Sequence, residues 1–387
     1  MPASLAASSL CALCLGAACL PAQATLVVDL LNRPGTQYLD LPTAVQASAP
    51  GDVVLVRYVD PVVAQYTAPT ITHALTLIGT GGQPGLTGNL QIETLPAGQH
   101  VEVRDFQLAP FALANPGLNC SFEIRANHGT VHVHNVDRIS LATSNSATNL
   151  WRITNCDLVT LSYCSVEMVG ANGTLVIKDT PQVTLHASVL QNFPGTQMPT
   201  LSVDNAGLVL SDTTIVGSGN GIDGVAIAMT NAARVQIAGP TSSIVAMAGG
   251  AAIRGLAPGC TVAAGNGALL GPVTGVTLQQ QSIPALAGRI TLTNQVQLTM
   301  YGDPLGIGVF AVGAPLPTPA TLFGGPLWLD PFQSGVADLI AFDLAGRGTW
   351  QLQLPPTPAG FGAWLQGATV GIANTFRLTP PAVVFAP

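Results

Sequence analysis

The sequence predicts an all-β fold: a parallel β-helix with an N-terminal capping helix, followed by a small antiparallel β-sandwich. Three observations support this prediction. A short motif recurs about every 20 to 30 residues, and the apolar residues are mostly small or β-branched. After about Gly288 the pattern changes to short strand candidates separated by Gly- and Pro-rich turns. Self-similarity of this kind indicates a repeat architecture.

The recurring motif has alternating apolar residues, then an Asn or Asp, then alternating apolar residues again. Alternation with a period of two indicates strands with one buried face. Asn and Asp tolerate the left-handed backbone region, so a single one can bend the chain sharply between two strands. Strand, bend, strand and loop, repeated, predict a coil of stacked parallel strands. The bend residues align at Asp105, Asn135, Asn155, Asp179, Asn205, Asn231 and Asn294.

A β-sandwich over the whole chain is the alternative. It would place an Asn-Gly or Asp-Gly hairpin turn roughly every 8–12 residues. Asn172-Gly173 and Asn266-Gly267 are such pairs, but the recurring bend is followed by Val, Thr, Ala or Gln instead. The coil is therefore favoured.

Composition limits the classes of partner. Hydrophobic residues make up 48% of the chain and aromatic residues 5%, which suits thin stacked strands. Charged residues make up only 8%, against roughly 25% in average soluble proteins. The net charge is −7, and Lys178 is the single lysine. No basic face is available for a nucleic acid, which we exclude as a partner.

Residues 1–24 are predicted to be a secretory signal peptide. An apolar stretch runs from Leu5 to Leu20, and Ala22-Gln23-Ala24 fits the small-x-small cleavage pattern, although no Lys or Arg precedes the stretch. No later segment has the ~18 uninterrupted apolar residues that a membrane-spanning helix needs. We therefore expect the protein to be secreted or to reside in the cell envelope.

Four cysteines follow the signal segment, and an even number in an exported chain permits disulfides. A bridge among Cys120, Cys156 and Cys164 stays open as an alternative to free thiols. Cys260 lies about four repeats further along, beyond disulfide reach if strands stack at ~4.8 Å. It is predicted to be a free, buried thiol.

The beginning of the mature chain gives a more specific signal. Residues 41–48 predict a short helix with Asp40 as N-cap, and Pro50-Gly51-Asp52 turns into a Val-rich strand at Val53–Val56. About twenty residues later, Leu75–Gly79 predicts a strand that ends in Leu-Ile-Gly. This order resembles the opening of pectate-lyase-like right-handed parallel β-helix proteins, over about residues 25–285.

The resemblance implies a β-helix domain over residues 25–288, with the helix capping the first rung. It implies no particular activity. That superfamily contains lyases, hydrolases, epimerases, phage tailspikes and non-catalytic adhesins.

Residues 300–387 predict a C-terminal β-sandwich module. Short strands are expected over 327–329, 337–342, 349–354 and 376–378, separated by Gly- and Pro-rich turns. The pattern is similar to a small all-β module of exported bacterial proteins, which has no chemistry to transfer.

A ligand-binding strip is predicted on the outer face of the β-helix, because the polar alternates of the motif would stack in one column. Carbohydrate-active β-helices bind linear polysaccharides along such strips. The competing interpretation is that exposed strand positions are polar in any case. The strip comprises Arg104, His132, His134, Arg152, Lys178 and Asp204.

Metal chemistry has little support. His132 and His134 share a face with His128 nearby, a geometry that could hold a divalent metal, but no acidic group has matching spacing. Gly219–Val225 resembles a single copy of a calcium-binding repeat that works in series. The carboxylates that a calcium-dependent lyase requires are scattered. No metal site and no cofactor are predicted.

Two functions follow. The first is a non-catalytic exported β-helix protein that binds polysaccharide or a cell-surface component. The second is a divergent polysaccharide lyase or glycoside hydrolase that uses the strip. We expect no enzymatic activity, and the sequence assigns no catalytic residue.

Overall fold

The chain is nearly all-β and falls into two compact units, one over Ala24–Gln280 and one that includes Gln281–Pro387. Most of the predicted signal peptide, Cys120 and most of the Gly219–Val225 loop lie outside the described residues. The computed structural model describes residues 23–61, 63–108, 121–140, 151–168, 175–192, 198–218, 224–247, 250–265, 267–291, 294–322, 325–355, 362–371 and 375–385.

The first unit is a parallel β-solenoid with one short helix, α1 (Leu41–Ala47). Its described strands are β1 (Thr25–Val28), β2 (Asp52–Arg57), β3 (Tyr66–Thr67), β4 (Thr70–Ile71), β5 (Leu75–Thr80), β6 (Gly85–Thr87), β7 (Leu90–Glu93), β8 (His100–Leu108), β9 (Phe122–Ser140), β10 (Trp151–Ser162), β11 (Ser165–Met168), β12 (Leu175–Lys178), β13 (Gln182–His186), β14 (Val189–Asn192), β15 (Leu201–Asp204), β16 (Gly207–Ser211), β17 (Thr214–Gly217), β18 (Ile227–Thr230), β19 (Arg234–Ala238), β20 (Ser243–Ala246), β21 (Ile253–Gly255), β22 (Thr261–Ala264), β23 (Leu269–Leu270), β24 (Val273–Thr274) and β25 (Thr277–Gln280).

The predicted capping helix is confirmed. Asp40 is the N-cap of α1, and its carboxylate accepts a hydrogen bond from the backbone N–H of Thr43 at 3.0 Å. This bond satisfies one of the amides that the first turn leaves without a helical partner. Leu41, Ala44 and Val45 are buried on the side of α1 that packs against the first strands.

The solenoid strands stack in three parallel sheets. Sheet 1 contains β1, β2, β5, residues 100–104 of β8, 130–134 of β9 and 158–162 of β10, then β13, β16, β19, β22 and β25. Sheet 2 contains β3, β6, residues 106–108 of β8 and 136–138 of β9, then β11, β14, β17, β20 and β23. Sheet 3 contains β4, β7, residues 122–125 of β9 and 151–154 of β10, then β12, β15, β18, β21 and β24.

All seven predicted bend residues have a left-handed backbone, with φ between 47° at Asn205 and 62° at Asp105. They do not form one column, however. Asp105 and Asn135 turn the chain from sheet 1 into sheet 2. Asn155, Asp179, Asn205 and Asn231 turn it from sheet 3 into sheet 1. Asn294 lies outside the solenoid, in the turn that joins two antiparallel strands.

The core between the sheets consists of the apolar alternates, as predicted. The inward residues expected from the motif are all buried: Val101, Val103, Val131, Val133, Ile153, Ile177 and Val203. They belong to one continuous cluster that fills the solenoid. Repeated Val, Leu and Ile suit this interior because each rung contributes only a few side chains to a narrow core.

Among the described residues, Cys156, Cys164 and Cys260 are free thiols. Cys260 is half-buried, whereas the sequence predicted a buried thiol. Cys156 and Cys164 follow bend residues and pack into the core at the corners. The N–H of Cys164 donates to the Ser188 hydroxyl of the next turn at 3.2 Å. These cysteines therefore act as small corner residues, comparable with Ser188.

The second unit begins earlier than expected, because the parallel strands end at Gln280. Residues 281–288 were predicted to continue the β-helix. Instead, an antiparallel strand begins at Ala285. The described strands of the second unit are β26 (Ala285–Ile290), β27 (Gln295–Tyr301), β28 (Ile307–Leu322), β29 (Gly325–Ala341), β30 (Arg347–Gln353), β31 (Gly362–Val370), β32 (Phe376–Leu378) and β33 (Ala382–Phe385).

These strands form two antiparallel sheets, in agreement with the predicted sandwich. One sheet has the order β26-β27-β30, and the other has the order β29-β28-β31-β32 with β33 beside β31. Leu298 and Met300 of the first sheet share a core with Phe310, Ile340 and Leu365 of the second. The predicted strands at 327–329 and 337–342 belong to the single long strand β29, apart from Phe342.

Candidate functional site

The six residues of the predicted strip lie on two different sheets. Arg104 is opposite His134 in sheet 1, and His132 is on the same strand as His134. Lys178 is opposite Asp204 in sheet 3. Arg152 precedes them in sheet 3, on β10. The prediction of a single strip was wrong because it treated the two kinds of bend as one column.

The outer face of sheet 1 carries a polar cluster that is buried, although these side chains were expected to face solvent. Glu102 is 0% exposed, Arg104 2% and His132 3%. In register, Glu102 is opposite His132, which is opposite Thr160. Arg104 is opposite His134, and the same row continues through Ser162, His186 and Ser211.

Hydrogen bonds link successive strands of this cluster. The Ser162 hydroxyl lies 3.0 Å from Nδ1 of His134 and 3.4 Å from Nε2 of His132. One turn further on, Nδ1 of His186 lies 3.0 Å from the Ser211 hydroxyl. Serine hydroxyls both donate and accept, so they can bond to an imidazole in either tautomer.

The rings of the cluster also contact one another. His132 and His134 are stacked, with centroids 6.3 Å apart. Tyr163 makes edge contacts with His134 at 5.2 Å and with His186 at 5.3 Å. Tyr163 has a left-handed backbone, which places it at the corner between sheets 1 and 2 beside these histidines.

Burial shifts the proton affinities of this cluster toward neutral side chains. It raises the pKa of Glu102 to about 8, against the opposing attraction of Arg104, so this carboxyl is protonated at neutral pH. It lowers the pKa of His132 well below the usual value, and the neighbouring His134 adds to the effect. Burial lowers the pKa of His100 to about 4. The side chains of Glu102 and His132 near Arg104 are therefore neutral at pH 7.

The outer face of sheet 3 is different, because its charged side chains are exposed and paired. Arg125, Arg152 and Lys178 are 51%, 48% and 53% exposed. They lie on the successive strands β9, β10 and β12, one cation on each strand. Arg125 and Lys178 share a register row, both opposite Thr154, and Arg152 lies two residues back in the neighbouring row, opposite Glu123. The face is therefore a ladder of cations open to solvent.

Each cation of the ladder lies near a carboxylate. Arg125 pairs with Glu93, Arg152 approaches Glu123 at 3.8 Å, and Lys178 approaches Asp204 at 3.9 Å. The last two separations exceed a normal hydrogen bond, so both cations keep donors for a ligand. We refer to Glu93, Glu123, Arg125, Arg152, Lys178 and Asp204 as the sheet 3 ladder.

Asp204 closes one end of this arrangement. It accepts hydrogen bonds from the hydroxyl of Thr230 at 3.0 Å and from the side-chain amide of Asn231 at 2.6 Å. These bonds hold the carboxylate beside Lys178.

Sequence reasoning missed several members of both groups. His186 ends an alternating stretch that begins at Val183, in the same way that His134 ends the one that begins at Val131. That shared pattern was the available signal for His186. Glu123 and Arg125 precede a bend at Ala126, which is not an Asn or Asp and so escaped the motif.

Within the described ranges, no group of three or more His, Cys, Asp or Glu residues is arranged to hold a metal ion. The same residues contain no helix with the length and apolar character that a membrane span needs. No protein-family profile matches this chain, and no curated protein matches it.

Proposed function

We propose that the protein is an exported, non-catalytic β-helix that binds a linear polysaccharide along the sheet 3 ladder. The observation that carries this proposal is the set of half-exposed cations, one on each of three successive strands: Arg125, Arg152 and Lys178. A polymer that lies along the solenoid axis meets one such group per strand, so weak contacts add up.

The chemistry of the ladder suits sugars. A glycan hydroxyl both donates and accepts, and the ladder presents guanidinium and ammonium donors beside carboxylate acceptors. Thr154 and Ser202 add hydroxyls on the same face, on strands β10 and β15. The hydrogen bond from Arg125 to Glu93, and those that Asp204 accepts from Thr230 and Asn231, keep these groups oriented before a ligand arrives, which lowers the entropy lost on binding.

The proposal includes the cellular setting and the family. We infer export from the apolar stretch that ends near Ala24 and fits a cleaved signal. We also infer that the solenoid is right-handed and pectate-lyase-like, which the parallel stacking and the cap α1 support. Expression with its first 24 residues in a bacterial host, followed by the mass of the exported protein, tests the first point. A mature chain that begins at Thr25 is expected, and retention of the uncleaved chain in the cytoplasm would contradict export.

The binding experiment uses a glycan array followed by titration calorimetry with the best glycan. We expect Arg152→Ala and Lys178→Ala each to weaken binding about three- to tenfold, since each removes one partly exposed charged contact. Arg234→Ala is the matched control, because Arg234 is an exposed arginine of the same solenoid on sheet 1. Failure of the array to show any glycan, or an equal loss with Arg234→Ala, would contradict the proposal.

A second candidate function, a divergent polysaccharide lyase or glycoside hydrolase, is favoured by one observation. Glu102 is a protonated carboxyl beside Arg104 and the histidines of sheet 1, and perturbed groups of this kind concentrate at catalytic sites. Assays for unsaturated products and for new reducing ends test it. Turnover that His134→Ala abolishes would support catalysis, whereas glycan binding without turnover supports the first function.

A further inference from the structure

The guanidinium of Arg104 is buried without a hydrogen-bond acceptor on one edge. Its Nε and Nη2 are shielded from solvent, and neither has a hydrogen-bond partner. The nearest carboxylate oxygens to Nε belong to Glu102 at 3.7 Å and to Asp105 at 4.0 Å. Both distances are too long for hydrogen bonds.

Glu102 does not supply the missing counter-charge. It is fully buried, and neither of its oxygens has a hydrogen-bond partner. Since burial raises its pKa to about 8, the group is a neutral acid at pH 7. One edge of the Arg104 guanidinium and both oxygens of Glu102 thus lie side by side, buried and without hydrogen bonds. This arrangement is costly unless a further group completes those bonds.

The edge of Arg104 that lacks partners indicates which kind of hydrogen-bond acceptor would fit there. Nε and Nη2 of an arginine point in parallel and match the two oxygens of a carboxylate. The protonated carboxyl of Glu102 can donate a further hydrogen bond to one of those oxygens. We propose that the outer face of sheet 1 binds a small carboxylic acid, as its anion, between Arg104 and Glu102.

The burial of Arg104 and Glu102 limits the ligand to a small molecule. Arg104 is 2% exposed and Glu102 is 0% exposed, so the face does not admit a polymer as it stands. A small anion reaches the site when the surrounding structure opens locally. This site is on a different sheet from the ladder, and its ligand is distinct from the proposed polysaccharide.

The first test uses the full chain with acetate as the probe, and melting temperature as the readout. Acetate should raise the melting temperature in a saturable way, relative to sodium chloride at equal ionic strength. Acetamide has the same shape without the charge and should give no rise. If acetate and chloride act alike, or if acetamide matches acetate, the proposal is wrong.

Two variants locate the effect. Arg104→Lys keeps the charge but loses the paired edge, so it should weaken acetate binding at least tenfold. Arg152→Gln, on sheet 3, should leave acetate binding unchanged and weaken only the polysaccharide. The two proposals can therefore fail separately. Equal acetate binding by Arg104→Lys and the unaltered chain would overturn this one.

A pH series provides a test that does not depend on removing Arg104. Above about pH 8 Glu102 loses its proton and repels an anion, so acetate affinity should fall there. The other titratable groups around it are His100, Arg104 and Asp105 on its own strand and His132 and His134 on β9. Among these, Glu102 is the group whose raised pKa lies near 8.

In Glu102→Gln, which cannot ionise but still donates a hydrogen bond, the affinity should stay constant from pH 7 to pH 9. An unchanged fall in this variant would contradict the role of Glu102. Far-ultraviolet circular dichroism confirms that each variant keeps its strand content.

Discussion

Sheets 1 and 3 both carry glutamate and arginine side chains on their outer faces, but these side chains are buried on sheet 1 and exposed on sheet 3. On sheet 1, Glu102 and Arg104 are buried and make no hydrogen bond to each other, and burial raises the pKa of Glu102 to about 8. On sheet 3, Glu123 and Arg152 face solvent as an ion pair. The comparison shows that polar alternation specifies which side of a strand is outside the core, but not whether that side meets water.

The largest expected difference comes from replacing one glutamate on each face with lysine. Glu102→Lys places a second cation beside the buried Arg104 and should lower the free energy of unfolding by roughly 3–5 kcal/mol. Glu123→Lys makes the same change beside the half-exposed Arg152, where water screens the repulsion, and should cost about 1 kcal/mol or less. Urea denaturation measures both. Equal losses would remove the distinction between the faces.

The second-largest expected effect is a dependence of stability on pH that comes from buried groups of sheet 1. Glu102 keeps a proton in the folded chain that the unfolded chain loses above its usual pKa of 4.5. Its contribution is therefore full below about pH 4.5 and is lost as pH rises through about 8. His100 acts in the opposite direction: its contribution is full above 6.5 and is lost as pH falls toward 4.

Between pH 7 and pH 9, stability should therefore decline, and Glu102→Gln should flatten that decline. Glu123→Gln serves as the control on sheet 3 and should keep the decline of the unaltered chain. Thermal denaturation across this range measures all three proteins. A decline that persists in Glu102→Gln would show that another group causes it.

Replacing Arg104 or Arg152 should give a smaller contrast in the free energy of unfolding. Unlike most substitutions, the replacement of Arg104 should stabilise the protein. Arg104→Met removes a buried charge that lacks hydrogen bonds, and in a buffer free of carboxylates it should raise the free energy of unfolding by about 1 kcal/mol. Arg152→Met should change it by no more than about 0.5 kcal/mol, because exposed ion pairs contribute little. Destabilisation by Arg104→Met would show that the guanidinium is well accommodated without a ligand.

The smallest effect on stability is expected at Lys178. Lys178→Ala should alter the free energy of unfolding by less than about 0.5 kcal/mol, because its contact with Asp204 spans 3.9 Å at an exposed site. The same variant should lose polysaccharide affinity. A large loss of stability would mean that the ladder is structural, and the binding data would then need another explanation.

The repeat itself was accessible from sequence because the physics of the bend is local. Asn and Asp at a left-handed φ, flanked by alternating apolar residues, predicted all seven bends and the buried faces around them. What failed was the assignment of bends to corners. Each turn of the solenoid has a bend before sheet 1 and another after it, and both accept the same residues.

The spacing held the missing signal. Asn155, Asp179, Asn205 and Asn231 follow one another at 24, 26 and 26 residues, whereas Asn135 and Asn155 are only 20 apart. That short interval is a passage from one corner to the other. The burial of Arg104 and His132 had no comparable signal, because whatever shields the outer face of a strand is not encoded in the strand.

The single lysine of this chain has a practical consequence. Apart from the α-amino group, the half-exposed Nζ of Lys178 on sheet 3 is the one amine that the sequence offers to acylating reagents. Amine-reactive dyes and surface-immobilisation chemistries will therefore modify the ladder itself. A fluorophore placed there would report on events at sheet 3, while routine amine coupling of the protein to a sensor chip would mask that face.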